Sequence, residues 1–206
     1  MNKDFERAQK LRNNGKIKEA INLYQKIREI NLEKDPDFAT ECLHLIGISY
    51  FQERNYKKAE IIFKKTQEEF EKLASKSSVA KESVGFVLRN RGMNARSSGD
   101  LKLAHKFLKA SVDHLAKTDN IGHTGISRVK LGRVYGDLGS FNKAYEEINK
   151  GIKLLEKSNE KFFLSSSYLD RAKVDVQKSL HILNSFAKKD EFLSRRKDID
   201  NILKNT

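Results

Sequence analysis

LGRVYGDLGSFNKA, residues 131–144, interrupts a chain that otherwise reads as helix. Three glycines fall in these 14 residues, Gly132, Gly136 and Gly139, with Tyr135 among them. Inside a helix each glycine costs roughly 1 kcal/mol relative to alanine, so local propensity does not explain them. Aligning the chain with itself does. Leu131, Gly132, Tyr135, Gly139, Phe141, Ala144 and Ile148 have counterparts in Ile46, Gly47, Tyr50, Asn55, Tyr56, Ala59 and Phe63. Gly92, Ala95, Gly99, Leu101, Ala104 and Leu108 repeat the order, as do Ala8, Leu11, Gly15, Ile17, Ala20 and Tyr24. The alanines at 20, 59, 104 and 144 set periods of 39, 45 and 40 residues.

A large residue, Leu-Gly, Tyr, a Gly turn, then Ala and Phe is an order that resembles the tetratricopeptide repeat, an antiparallel helix pair. Four units are expected, at about 3–34, 38–75, 80–117 and 121–157, all in one domain spanning 1–206. Periods above the usual ~34 residues place them in the ~40-residue subclass. The resemblance implies an all-α, right-handed superhelix, because one helix pair cannot bury both its faces and neighbours must stack. Departures are Ala8 in place of glycine, Arg91 and Ala95 in place of Leu and Tyr, and no proline closing the repeats.

The small residues then have two roles. Gly132, Gly47, Gly92 and Ala8 sit mid-helix, where a larger side chain would overpack against the partner helix. Gly139, Gly99 and Gly15 end the first helix, where the left-handed conformation suits glycine. Arg54 occupies that position in the second unit, so Asn55 is expected to take over the turn. Second helices carry apolar residues at helical spacing, such as Ala20, Tyr24, Ile27 and Ile30, and Ala144, Ile148, Ile152 and Leu155. Phe162, Tyr168, Leu169, Ala172 and Val176 read as the first helix of a fifth unit. Leu180, Leu183, Phe186, Phe192, Ile199 and Leu203 follow it. Residues 160–206 are expected to cap the array as two helices or one bent helix. The break is expected between 178 and 190, with Asp190 as N-cap.

Composition fits this reading. The 206 residues are 38% hydrophobic and 33% charged, with a single proline, Pro36, among 12 Phe and no Trp. A lone cysteine, Cys42, allows no internal disulfide and no thiolate metal cluster, and it reads as core rather than nucleophile. The N-terminus lacks the apolar segment of a secretory signal, and no apolar run approaches the ~20 residues that span a bilayer. A cytoplasmic protein without membrane insertion is expected. His44, His105, His114, His123 and His181 share no metal-binding spacing. No phosphate loop, nucleophile elbow or dinucleotide loop is present, so neither an enzyme nor a cofactor is expected.

Function is expected in the groove that the first helices of such repeats line. Carrying the register over gives Phe5, Gln9 and Arg12, then His44, Ile48 and Phe51. The third unit gives Phe86, Arg89, Asn90, Met93 and Arg96, and the fourth Ile126, Lys130, Arg133 and Asp137. Phe5, Gln9 and Ile48 do not match the carboxylate clamp for chaperone tails. Gln9, Ile48, Met93 and Arg133 do not supply an asparagine ladder. What remains is an apolar segment, Ile48 and Phe51, beside a basic one, Arg89, Arg96, Lys130 and Arg133. Residues 81–135 hold 11 Lys or Arg against 4 Asp or Glu, +7 of the chain's +13. A protein or peptide segment of acidic character suits such a groove, since arginine forks pair with carboxylates. The alternative is a nucleic-acid-binding repeat protein using the same stripe, which lacks a reading helix or a stacking platform. A lysine-rich composition alone would also produce this charge.

Overall fold

A computed structural model gives the fold. It describes residues 3–158, 160–185 and 190–205, with the side chains of 185, 190–195, 203 and 205 left aside. The described residues form helices joined by short turns, without a strand. The chain makes two compact units, Met1–Thr118 and Asp119–Thr206.

The first unit holds α1 (Lys3–Asn13), α2 (Ile17–Asn31), α3 (Pro36–Gln52), α4 (Tyr56–Leu73), α5 (Ser78–Ser97) and α6 (Leu101–Leu115). Each helix packs on the next. Asp35, Asn55, Ser77 and Asp100 open α3 to α6, each accepting a backbone N–H three residues on; such caps contribute about 1 kcal/mol apiece. Ala20, Ala59 and Ala104 are fully buried, as is Ala144 in the second unit. These alanines lie where second helices cross first helices, which explains their period. Ile30 in the last turn of α2 is 65% exposed, contrary to the apolar pattern.

Turn geometry corrects one expectation. Gly15 and Gly99 adopt φ 76° and 92°, and the second unit's Gly139 adopts 72°. At the equivalent place Arg54 itself takes φ 58°, and Asn55 does not replace it. The Asn55 N–H bonds the Tyr50 carbonyl, just as Lys16 bonds Leu11, so the left-handed residue must be the one before it. Asn55 is engaged elsewhere: its side chain caps α4 through the Lys58 N–H at 3.2 Å.

The second unit holds α7 (Ile121–Asp137), α8 (Phe141–Lys157), α9 (Lys161–Ser185) and α10 (Asp190–Asn205). The three glycines of residues 131–144 now have separate roles. A Cβ on Gly132 would lie 2.5 Å from Ile148 Cγ1 and 2.8 Å from the Ala144 carbonyl on α8. One on Gly136 would lie 3.0 Å from Val174 Cγ2 on α9. Gly139 makes the turn. Tyr135 is partly buried against the Ala144, Ile148 and Val174 cluster.

Residues 161–185 and 190–205 are helical; of the stretch expected to hold the break, 178–185 continues α9, and 186–189 lie outside the described residues. The buried face of α9 differs from the one its large apolar residues suggest. Phe162 and Leu169 are 78% and 61% exposed, and Tyr168 is exposed as well. Phe163, Leu164, Ser167 and Val174 pack inward instead. Val174 fits the notch at Gly136, and Asp170 is held by two cations of α7, so these contacts set the rotation of the helix. The expected cap residue Asp190 opens α10; its side chain and those of Phe186, Phe192 and Leu203 lie outside the described ones.

Candidate functional site

In the first unit, His44, Ile48 and Phe51 form one stripe of α3, and Phe86, Arg89, Asn90, Met93 and Arg96 form one stripe of α5. Steps of three and four residues put each set on a single helix face. Between them lies a partly enclosed cavity of about 210 Å³, lined by Ile48, Phe51, Gln52, Phe63, Asn90 and Met93. Four of the six were expected from the register. Phe63 and Gln52 were not. Phe63 belongs to α4, a second helix, and reads as core; its ring reaches the cavity because residue 47 is glycine. A Cβ there would stand 2.6 Å from the Phe63 ring, so the Gly47–Phe63 pair was the available signal.

His44 is buried, 4% exposed, and organises the cavity's polar side. Its Nε2 lies 2.8 Å from Asn90 Nδ2, and its Nδ1 lies 3.4 Å from a Glu41 carboxylate oxygen. Its ring meets Phe63 edge-on at 5.9 Å. Farther along α5, the Arg89 guanidinium sits 5.4 Å from the centre of the Phe86 ring, and burial pulls its pKa down to about 10. Arg96 is half-buried, one turn beyond Met93.

Phe5 is placed differently. Its ring packs on Tyr24 at 5.9 Å and Phe38 at 5.0 Å, and so joins the core of the first three helices. Gln9 is half-buried on α1, and Arg12 reaches Asn13 Oδ1 at 3.5 Å. Cys42 is fully buried, and burial, reinforced by Glu41, pushes its thiol up to about 12. A nucleophilic thiol needs the opposite shift.

The expected exposure of Arg133 is corrected by the second unit. Arg133 is 6% exposed; its Nη1 donates to the Asp170 carbonyl at 3.2 Å, and its Nε lies 3.8 Å from the Asp170 carboxylate. Lys130 Nζ reaches the same carboxylate at 2.7 Å. Ile126 is core, 4% exposed, and Asp137 accepts from Gln177 at 2.7 Å. The basic excess of residues 81–135 is further reduced by pairing. Arg91 Nε donates to Glu60 at 3.0 Å, and Arg128 pairs with Glu147 at 2.7 Å. With Lys130 and Arg133, these cations meet carboxylates from outside the segment. Among the described residues, no group of three or more His, Cys, Asp or Glu is placed to hold a metal ion. No described helix is long and apolar enough to cross a membrane.

The tetratricopeptide-repeat family matches residues 127–156, which cover most of α7 and α8. No curated protein matches the chain. Solved structures do. Aspartyl phosphate phosphatase F from Bacillus subtilis superposes with TM-score 0.73 at 15% identity, covering 97% of this chain and 51% of that one. A Rap protein complexed with Competence and Sporulation Factor gives 0.71 at 17%, covering 98% and 58%. The nearly identical TPR-like repeats of a putative kinesin light chain from Podosopora anserina give 0.63 at 17%, covering 98% and 96%. At these identities the likeness is one of fold, and the chain spans little more than half of the phosphatase and of the Rap protein.

Proposed function

We propose that this chain, a tetratricopeptide-repeat protein, is a non-catalytic adaptor that captures a protein or peptide segment on the α3–α5 face of its first unit. The observation that carries this reading is the cavity between Ile48, Phe51, Phe63 and Met93. It places apolar walls at the groove positions of two successive first helices. An apolar side chain of the partner enters there, while Arg89 and Arg96 on the same stripe of α5 favour acidic neighbours. Arginine forks pair with carboxylates through two parallel hydrogen bonds. The Rap protein structure, solved in complex with Competence and Sporulation Factor, is a precedent on a similar fold. The nucleic-acid alternative is less favoured, because Arg91, Arg128, Lys130 and Arg133 are engaged by carboxylates within the chain.

A random peptide display library panned on the purified protein tests the reading. Peptides with an apolar residue beside Asp or Glu are expected to be enriched, and Met93→Glu should lose them with an unchanged circular dichroism spectrum. Enrichment that survives Met93→Glu, or none at all, would overturn it. Copurifying material absorbing at 260 nm, released with a log–log salt slope near −0.7 to −0.9 per phosphate contact, would favour nucleic acid instead.

A further inference from the structure

The cavity is not uniformly apolar, and its polar part has a fixed direction. Glu41 presents a carboxylate, which only accepts, toward His44 Nδ1 at 3.4 Å. The proton of the neutral ring therefore sits on Nδ1, and Nε2 is left as an acceptor. Asn90 meets it at 2.8 Å with its amide nitrogen. An amide is planar, so holding Nδ2 against His44 also sets the position of Oδ1. The group that Asn90 offers to the cavity it lines is then an acceptor. The rest of the wall is Ile48, Phe51, Phe63 and Met93, together with the flexible Gln52.

Size narrows the ligand further. A dry cavity of about 150 Å³ holds benzene, and drug-sized ligands occupy about 300 Å³ or more. The 210 Å³ here suits one ring system. We infer that the cavity selects an aromatic anchor carrying its own hydrogen-bond donor, the indole of tryptophan or the phenol of tyrosine, which donates to Asn90 Oδ1. His44 is the positioning residue that points this oxygen. The inference rests on the proposed capture of a peptide on this face and names its anchor. An anchor without a donor leaves the amide oxygen buried and unpaired, and sites built for a donor reject such analogues strongly.

Met93 makes the test direct. It is one of two methionines, the other being Met1, so labelling methionine methyls with ¹³C gives one signal in the cavity and one control. Indole and benzofuran, nearly the same shape with and without the N–H, are titrated at pH 8. Both should move the Met93 signal, with indole binding about tenfold more tightly, the worth of one hydrogen bond. Asn90→Leu should bring the two to parity while both still bind. His44→Phe, which frees the amide, should narrow the gap as well; if that buried substitution unfolds the protein, Asn90→Leu decides alone. Equal affinities in the unaltered protein, or a preference that survives Asn90→Leu, overturns the donor requirement but leaves peptide capture standing. A Met93 signal unmoved by either compound overturns the cavity as an anchor site, and with it the proposed docking face.

Discussion

The positions that one sequence register assigns to a groove on α3 and α5 and on α7 have different surroundings. On α3 and α5 they leave a cavity between two helices. On α7, Lys130 and Arg133 close on Asp170 of α9, Ile126 joins the core, and Gly136 receives Val174. What separates the two regions is the next helix. On α7 that helix supplies the carboxylate which holds both cations. That depends on residues about forty positions away, which the repeat pattern does not encode.

Removing that carboxylate gives the largest expected effect. Asp170→Ala takes from Arg133 and Lys130 the carboxylate they share in a part-buried place. Breaking such a pair from one side costs about 3–5 kcal/mol. Denaturant melts should show the loss in the second unit, with the first unit's transition unmoved. A melt unchanged throughout would mean that the pair is no more than a surface contact.

The first unit has its own sensitivity, to alkali. Burial raises Cys42 from 9.0 to about 12, so the fold favours the protonated thiol. That stabilisation is complete below pH 9 and is lost as pH rises from 9 toward 12, up to about 4 kcal/mol at ~1.4 per pH unit. Stability followed across this window should fall, and Cys42→Ala should remove most of the fall. An equal fall in the variant would assign it to other groups.

Gly132→Leu comes next, at roughly 1–3 kcal/mol through overpacking. A Cβ there meets the Ala144 carbonyl, which cannot swing aside, whereas one at Gly47 meets the Phe63 side chain. Gly47→Ala should therefore cost less in thermal melts than Gly132→Ala, and the reverse order would discard the distinction. The smallest effect runs the other way. Arg54→Gly should stabilise the first unit by about 1 kcal/mol, since a non-glycine residue in the left-handed region costs roughly 1–2 kcal/mol. An unchanged denaturation midpoint would mean that the Arg54 side chain returns what its backbone costs.

Most of the helical framework was legible, because glycine, alanine and tyrosine at fixed offsets report helix crossings directly. The face of α9 was not. Phe162, Tyr168 and Leu169 point outward, while Phe163 and Leu164 pack in together with a serine, a valine and an aspartate, so the apolar stripe read from the sequence selects the wrong side. Part of the candidate site was similarly hidden. Ile48, Phe51, Asn90 and Met93 follow from the register. The Phe63 ring, the His44–Asn90 bond and the burial of Arg133 arise from contacts across 15 to 46 positions of chain. Arg54 shows a third kind of miss. The backbone pattern requires a left-handed residue at 54 whatever its identity, and the neighbouring asparagine is already needed as a cap.

Arg91 stands where the second and fourth repeats carry Ile46 and Leu131, stacked 4.0 Å from the Phe107 ring centre and bonded to both Glu60 and Gln67 of α4. Its consequence is one of syntax. Hydrophobic seams are interchangeable, and repeats joined only by them can be reordered or duplicated with little loss. The joint between α4 and α5 cannot be treated so, because a different unit placed on either side would leave a guanidinium or a carboxylate with nothing to answer it. The two hairpins it links are therefore ordered neighbours, and any graft of this array onto another scaffold has to carry them together.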